Sequence, residues 1–402
     1  MVLRTVRLRS FRAHERTDCA FAPKVNLLYG PNGAGKTNVL EAIHYVCLSK
    51  GFVTASDRYI VRKGDTHAEI EGTFSREEGR DMTVRLAYVP GEGKQMFINA
   101  APLDRISEIV GRVPVVVYSP QDHALTAGGP DERRRFLDNL LCQARPSYMD
   151  ALMTFRRVLK QRNRLLGKYQ ESRNGPPSAV IAPWDEELIR HGSRLISTRA
   201  SFVSEFSGFL AQAYEEIETV SERPTVQYET FSRMNGTDPE EDIAARYRQK
   251  IEEERTHEHR RGLTLVGPHR DELIFKLNGL LVRRYASQGQ HRTFGMAMKL
   301  AKYFYLRDRT GEFPLLLLDD VFDHLDHRRS SAFLNLLQTD QVGQTLITAT
   351  DRTPFIESVQ FDQSSNQCFY VENGSICVAP TENGAVTRER ETASSADRSR
   401  KM

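Results

Sequence analysis

Val25-Asn26-Leu27-Leu28-Tyr29-Gly30-Pro31-Asn32-Gly33-Ala34-Gly35-Lys36-Thr37-Asn38 reads as a short apolar strand that runs into a Gly-rich loop and opens a helix. The helix is signalled by Val39, Leu40, Ile43, Val46 and Cys47 at helical spacing. Gly30, Gly35, Lys36 and Thr37 fit the phosphate-loop spacing. The glycines let backbone N–H groups turn inward, and the helix N-terminus adds its positive end, so phosphate oxygens meet a preformed anion site. Lys36 is expected to reach the β- and γ-phosphates and the Thr37 hydroxyl to ligate Mg²⁺. Residues 30–38 are therefore the candidate nucleotide-contacting set.

A second apolar strand, Pro314-Leu315-Leu316-Leu317-Leu318, ends in Asp319-Asp320. Phosphoryl transfer needs a metal ion held opposite the phosphate loop, and an acid at the C-terminal end of a buried strand supplies that. Asp319 is expected on the metal side, and Asp320 where a base orients the attacking water. Ser287-Gln288-Gly289-Gln290 precedes an apolar helix carrying Phe294, Met298, Ala301 and Phe304. Alone this tetrapeptide reads as a plain helix cap. In the order phosphate loop, Ser-Gln-Gly-Gln, Asp-Asp strand, it reads as a second anion site that completes the pocket of another subunit.

Between these motifs the texture of the chain changes twice. Residues 1–124 are strand-rich, with expected strands at 3–8, 25–29, 68–74, 82–89, 95–99 and 113–118 and a hairpin turn at Gly91-Glu92-Gly93. Gly51 is expected to supply the left-handed cap that ends the first helix. Residues 125–262 read as a helical lobe: 133–166 carries one apolar stripe, and Leu188, Leu195, Phe202, Phe206 and Leu210 carry another. Strand-and-helix texture returns over 263–378, with strands expected at 263–266, 273–277, 281–285, 315–318 and 345–348 and a helix at 295–305. Residues 379–402 are almost devoid of apolar side chains and read as a disordered tail.

The 402 residues carry 56 Lys and Arg against 53 Asp and Glu, so any nucleic-acid contact must come from a local patch. Arg133, Arg134 and Arg135, followed by Arg157, Lys160 and Arg164, are the candidates for DNA phosphate contacts. Five scattered cysteines without a Cys-x-x-Cys pair argue against a disulfide framework or zinc site. No stretch approaches the roughly 20 apolar residues of a membrane span. A cytoplasmic protein is expected.

Taken together, the chain resembles an ATPase head of the ABC class, and more narrowly the RecF family of bacterial recombination mediators. The resemblance rests on Gly30–Thr37, Tyr118-Ser119-Pro120-Gln121-Asp122, Arg133-Arg134-Arg135-Phe136-Leu137-Asp138, Leu265-Val266-Gly267-Pro268-His269-Arg270-Asp271-Glu272, Tyr285–Gln290 and Leu318–Asp326. It implies an α/β fold, a P-loop mixed sheet with helices and an inserted helical lobe. It implies that Gly30–Thr37 is Walker A and that Asp319 with Asp320 is Walker B. Ser287–Gln290 becomes the signature motif acting in trans, Leu325-Asp326 the D-loop, and Gln121 a γ-phosphate and metal contact. ATP and Mg²⁺ are the implied cofactors. An ATP-dependent homodimer on duplex or gapped DNA, helping RecA loading with RecO and RecR, is the implied biology.

Three departures from the wider pattern stand out. Asp320 replaces the usual Glu, Thr348 stands where relatives carry a switch histidine, and Val53 stands where many members carry Arg, with Arg58 and Arg62 as nearby substitutes. His269-Arg270-Asp271 lacks a nucleophile and is expected to be structural. Alternative readings are the ATP-binding subunit of a transporter, an SMC-like chromosome protein and a non-hydrolysing ATP-gated clamp. The insert is too short for a long coiled coil, and it is foreign to a transporter subunit.

Overall fold

The computed structural model describes residues 1–54, 56–76, 81–171, 175–217, 222–322 and 327–380. In chain order, β1 (Val2–Phe11), β2 (His14–Ala20), β3 (Val25–Tyr29) and α1 (Lys36–Leu48) precede β4 (Ala68–Ser75), β5 (Met82–Val89), β6 (Gly93–Ile98), β7 (Ala101–Pro102) and β8 (Val115–Tyr118). The helices α2 (His123–Ala127), α3 (Pro130–Ala144), α4 (Pro146–Lys168) and α5 (Ser178–Ile217) follow, then β9 (Pro224–Glu229) and α6 (Glu240–Arg261). The chain closes with β10 (Glu272–Leu277), β11 (Leu280–Leu281), α7 (Val282–Tyr285), α8 (Gln288–Thr310), β12 (Leu315–Leu318), α9 (His327–Gln338), β13 (Thr345–Ala349), α10 (Thr353–Ile356), β14 (Gln367–Glu372) and β15 (Ser375–Val378).

The central sheet has the order β15-β14-β3-β13-β12-β8, parallel from β14 to β8. A strand covered on both faces should be apolar at every position. β12 meets that demand with four buried leucines: Leu315 and Leu317 join one core and Leu316 and Leu318 the other. The first core is closed by α1 and by an antiparallel sheet ordered β2-β1-β4-β5-β6-β7. In β4 and β5 buried and half-buried residues alternate strictly, the period of a sheet with one face on the core. The second core gathers α3, α4, α5 and α8 over the opposite face.

Several expectations change against this frame. The helical lobe is not purely helical: β9 pairs with β10 from Glu229↔Glu272 to Pro224↔Leu277, so a three-stranded sheet straddles the division at residue 262. The single stripe over 133–166 is two helices. Arg145 is extended (φ −142°), as the residue before a proline prefers, and Pro146 starts α4 where its missing N–H costs nothing. The segment 263–266 is not a strand: Thr264 is claimed by Arg162 and Asn163, and the Val266 carbonyl accepts from Tyr247. Of 281–285 only Leu281 is in a strand, and the rest is the single turn α7. The left-handed cap of α1 is Ser49 (φ 54°), not Gly51. Ala379 is buried and donates its N–H to the Cys368 carbonyl at 2.8 Å, so paired structure runs past residue 378, while 381–402 lie outside the described residues.

Two buried arginines tie the insert to the Thr264–Asp271 segment, Arg162 at Thr264 and Arg199 at Pro268 and Asp271. Arg199 bonds Asp138 (2.8 Å), Asp271 (3.0 Å), the Pro268 carbonyl (2.6 Å) and the Tyr148 hydroxyl (2.9 Å). Arg162 bonds Asp185 (2.7 Å), Glu258 (2.6 Å) and Thr264 (2.9 Å). Among the described residues His269 Nε2 donates locally, to the Thr264 carbonyl, so the His-Arg-Asp run is an anchor, in keeping with its lack of a nucleophile. Arg199→Met leaves Asp138 and Asp271 buried without their shared counter-charge. It is expected to lower the unfolding free energy in urea by about 3–5 kcal/mol, and a loss under about 1 kcal/mol would remove the anchoring role.

Candidate nucleotide site

β3 delivers the chain to Gly30, where backbone contact rather than side-chain chemistry sets the requirement. A Cβ there would stand 2.1 Å from the Val371 carbonyl of the neighbouring β14. Gly35, the residue before α1, has φ 106°, a left-handed conformation, and a Cβ would stand 2.9 Å from His14 Nε2. The loop is clasped on two sides. Gly374, in the β14–β15 turn, donates its N–H to the Ala34 carbonyl at 3.0 Å. His14, just after the β1–β2 turn, places Nε2 3.1 Å from the Gly35 carbonyl and Nδ1 3.0 Å from Thr17 Oγ1. A carbonyl only accepts, so Nε2 carries the proton. Burial pushes the His14 pKa down, partly offset by its backbone partners, which keeps the ring neutral.

Lys36 is buried and donates to the Gly30 (2.8 Å) and Pro31 (3.1 Å) carbonyls, curling over the cradle that the loop forms. Pro31, Asn32 and Gly33 are exposed along its rim, and Asn38 continues α1. Thr37 Oγ1 donates to Asp319 Oδ1 at 2.8 Å, joining residues 282 positions apart. The Thr348 hydroxyl, from β13, donates to the same oxygen at 2.8 Å and accepts the Asp320 N–H at 2.9 Å. Burial pushes the Asp319 carboxyl up from its ordinary range, and the two hydroxyl bonds draw it back. The pair fits a magnesium ion: adjacent ligands of an octahedral ion lie about 3 Å apart, close to the Thr37–Asp319 separation. Asp320 has φ 47° and faces a cavity of about 350 Å³ bordered by Tyr118, Ser119, Gln288, His291 and Arg292.

Ser287 caps α8: its Oγ accepts from the Gln290 N–H (3.2 Å) while Gln290 Oε1 accepts from the Ser287 N–H (2.8 Å). Gln290 also reaches Glu222, and Ser287 and Gln288 are exposed, with Gly289 half-buried beside them. None of these bonds reaches the loop 30–37 of the same chain. Gln121 is exposed and lines a different cleft from Asp320, so the structure does not bring it to the Thr37–Asp319 pair. Leu325 and Asp326 lie outside the described residues.

Residues 2–374 match the family model described as the RecF/RecN/SMC N terminal domain. The DNA replication and repair protein RecF of Salinibacter ruber is 50% identical over 98% of this chain and 95% of its own length. The chain belongs to the RecF family. A solved structure titled as the recombination mediator protein RecF-ATP in the RecFOR pathway superposes with TM-score 0.86 at 27% identity, over 94% of this chain and 98% of that one. An Smc head bound to the C-winged helix domain of ScpA shares the fold alone, with TM-score 0.53 at 13% identity over 98% of this chain and 100% of that one. The architecture is that of an ABC-type ATPase head.

The basic candidates separate by burial. Arg133 is buried, and its guanidinium grips both oxygens of Glu272 at 2.6 and 2.8 Å, so it leaves the set of surface cations. Arg134 is tied to Asp131 and the Asp271 carbonyl. Arg135 is 70% exposed beside Glu132. Arg157, Lys160 and Arg164 are exposed along one side of α4. Arg58 lies over the Tyr59 ring and Arg62 pairs with Glu15.

Sequence reasoning missed Arg12 and His14. Arg12 reaches Glu41 of α1 at 2.6 Å and Thr54 at 3.1 Å, bracing the helix that carries Lys36. The signal available was a polar residue in the turn and another just after it, in an otherwise alternating hairpin.

The depressed pKa of His14 links stability to pH. The unfolded chain takes up the proton first, so the contribution is complete above the ordinary value of 6.5 and is lost as pH falls through the folded value. Urea titrations from pH 7.5 to 4.5 are expected to show falling stability, with a shallower fall in His14→Asn; identical slopes would discount the clasp.

Proposed function

We propose that this chain is an ATP-dependent DNA-binding protein of recombinational repair that dimerises on ATP and resets by slow hydrolysis. The observation that carries the reading is the Thr37–Asp319 contact beneath a glycine cradle, with the exposed Ser287 cap bonded only within its own helix end and to none of residues 30–37. A site whose second half faces outward is completed by a second copy of the chain. In that arrangement Lys36 leaves the Gly30 and Pro31 carbonyls for phosphate oxygens, and Ser287 of one protomer covers the γ-phosphate bound by the other. Mg²⁺ supplies charge neutralisation on the phosphate oxygens when bound. Thr37 and Asp319 would hold it, Asp319 mainly through water. Asp320 would orient the attacking water, with Gln121 reaching the site only if its loop moves on closure.

The names of the relatives support recombinational repair, and by that kinship DNA, RecO and RecR are the expected partners, with RecA downstream. Among the described residues no helix is long and apolar enough to cross a membrane, which accords with a cytoplasmic DNA partner.

Sedimentation is expected to show a dimer with ATP and a monomer with ADP. Ser287→Arg should abolish the dimer while leaving ATP binding intact, and Asp320→Asn should keep the ATP dimer while cutting turnover about 100-fold or more. A dimer indifferent to nucleotide would overturn the shared site, and turnover unchanged by Lys36→Met would overturn the ATPase.

For DNA, Arg157→Gln, Lys160→Gln and Arg164→Gln should each weaken duplex binding without regard to sequence. Each should also reduce the salt dependence of log K by about 1. Salt slopes equal to wild type would move the DNA surface off α4.

A further inference from the structure

A second cleft, of about 500 Å³, lies behind the Gln121 turn, walled by the loop after α1, the end of β8, α3 and α8. Its floor is cationic. Lys302, 95% buried (5% exposed), directs its ammonium to one neutral acceptor, Asn139 Oδ1, which also receives the Gln143 amide at 3.0 Å. Lys299, one turn before it, is committed to the Val117 carbonyl (2.8 Å) and Asp122 (2.7 Å). Lys50 and Arg135 add exposed cations at the rim. The carboxylates that face this group are Asp122, held by Lys299, and Glu132, held by Arg135. His44, from α1, is neutral: burial, opposed by its bond to the Lys50 carbonyl and aided by the neighbouring lysines, takes its pKa to about 4. Lys302 is therefore a buried ammonium with no carboxylate of its own, a situation that proteins resolve by pairing with an anion or by losing the proton.

We infer that this cleft is a second anion site, separate from the ATP cradle, which takes a doubly charged oxyanion borne by a phosphorylated ligand. The volume exceeds what a lone phosphate fills and is of the order of a small-molecule pocket. The floor offers the remaining donors of Lys302, and the rim offers Lys50 and the planar fork of Arg135, which suits a phosphate group. Ser119 and Asp122 border both this cleft and the Asp320 cavity, so an occupant bonded to Lys299 competes with Asp122 next to the ATPase centre.

Lys302 also makes the site sensitive to pH. Burial and the adjacent Lys299, opposed by Asp122, lower its pKa to about 7. Anion binding restores the charged form, so affinity should fall as pH rises through 7.

The test uses the full chain with Lys36→Met, which removes the main cation of the ATP cradle, and sulfate as a probe whose charge does not change between pH 6 and 9. Sulfate is expected to raise the melting temperature at pH 6.5 and to lose most of that effect by pH 8.5. Adding Lys302→Met should raise the melting temperature in sulfate-free buffer, because a buried charge is gone, and abolish the sulfate response. Arg135→Gln, at the exposed rim, should weaken sulfate binding about tenfold without altering the fold. An undiminished sulfate response in the Lys36→Met, Lys302→Met chain overturns the site, as does a response that ignores pH. Two further arms locate the phosphate. Weaker duplex binding by Lys302→Met assigns it to a DNA backbone, whereas unchanged duplex binding with saturable uptake of ribose 5-phosphate assigns it to a free phosphorylated molecule. Failure of both arms leaves no phosphorylated ligand and overturns the inference, while the ATP-dependent dimer is tested separately by sedimentation.

Discussion

The carboxylate of Asp319 receives one hydroxyl from Thr37 and one from Thr348, and the packing of the central sheet follows from that meeting. β3 and β12 are not neighbours: β13 lies between them. Thr37 follows β3, Asp319 follows β12, and Thr348 sits on β13 itself, so a single oxygen gathers the ends of three adjacent parallel strands. Registers that moved any one strand by a residue would turn its leucines to the wrong core and pull its ligand off the carboxylate together. The four buried leucines of β12 and the site at its end are thus one constraint seen from two directions.

Parallel pairing also explains why the halves of the site are so far apart in sequence. Each parallel strand needs a crossover, and here the crossover from β8 to β12 has grown into the helical insert, the β9–β10 pair and α8. An insert that long must be held in one orientation, or the Ser287 cap would have no defined direction. Arg199 and Arg162 do this with buried, fully engaged guanidinium groups that bind segments on both sides of residue 262. Buried ion pairs of this kind add little net stability, yet they penalise every alternative packing that leaves one charge alone.

What could be read from the sequence was what depends on local period and backbone chemistry. The strands at 25–29 and 315–318 are bounded as the apolar runs suggest, because both faces are buried and the one polar side chain inside them, Asn26, is satisfied by the Ala22 backbone. The phosphate loop is legible because its glycines answer contacts that any side chain would violate. What escaped depended on distant partners. β9 is an edge strand with one buried residue, Val226, and exists because β10 lies beside it. Arg133 looks like its neighbours Arg134 and Arg135 until Glu272, far along the chain, claims it. His14 and Gly374 act on the loop through contacts with carbonyls, which leave no residue pattern.

Asp320 shows how backbone and side chain are chosen together. Its φ of 47° puts it in the left-handed region, which costs most residues about 1–2 kcal/mol and which short polar side chains tolerate best. The conformation is held by the Asp320 N–H bond to Thr348, whose hydroxyl is already oriented by Asp319. A longer acid at this position would gain reach toward the cavity but lose the local tolerance that an aspartate brings to this backbone. A titratable histidine at 348 would take a different place between the two carboxylates. The pairing of Asp320 with Thr348 is therefore one coupled solution: the hydroxyl fixes the strained turn, and the turn aims a short carboxylate.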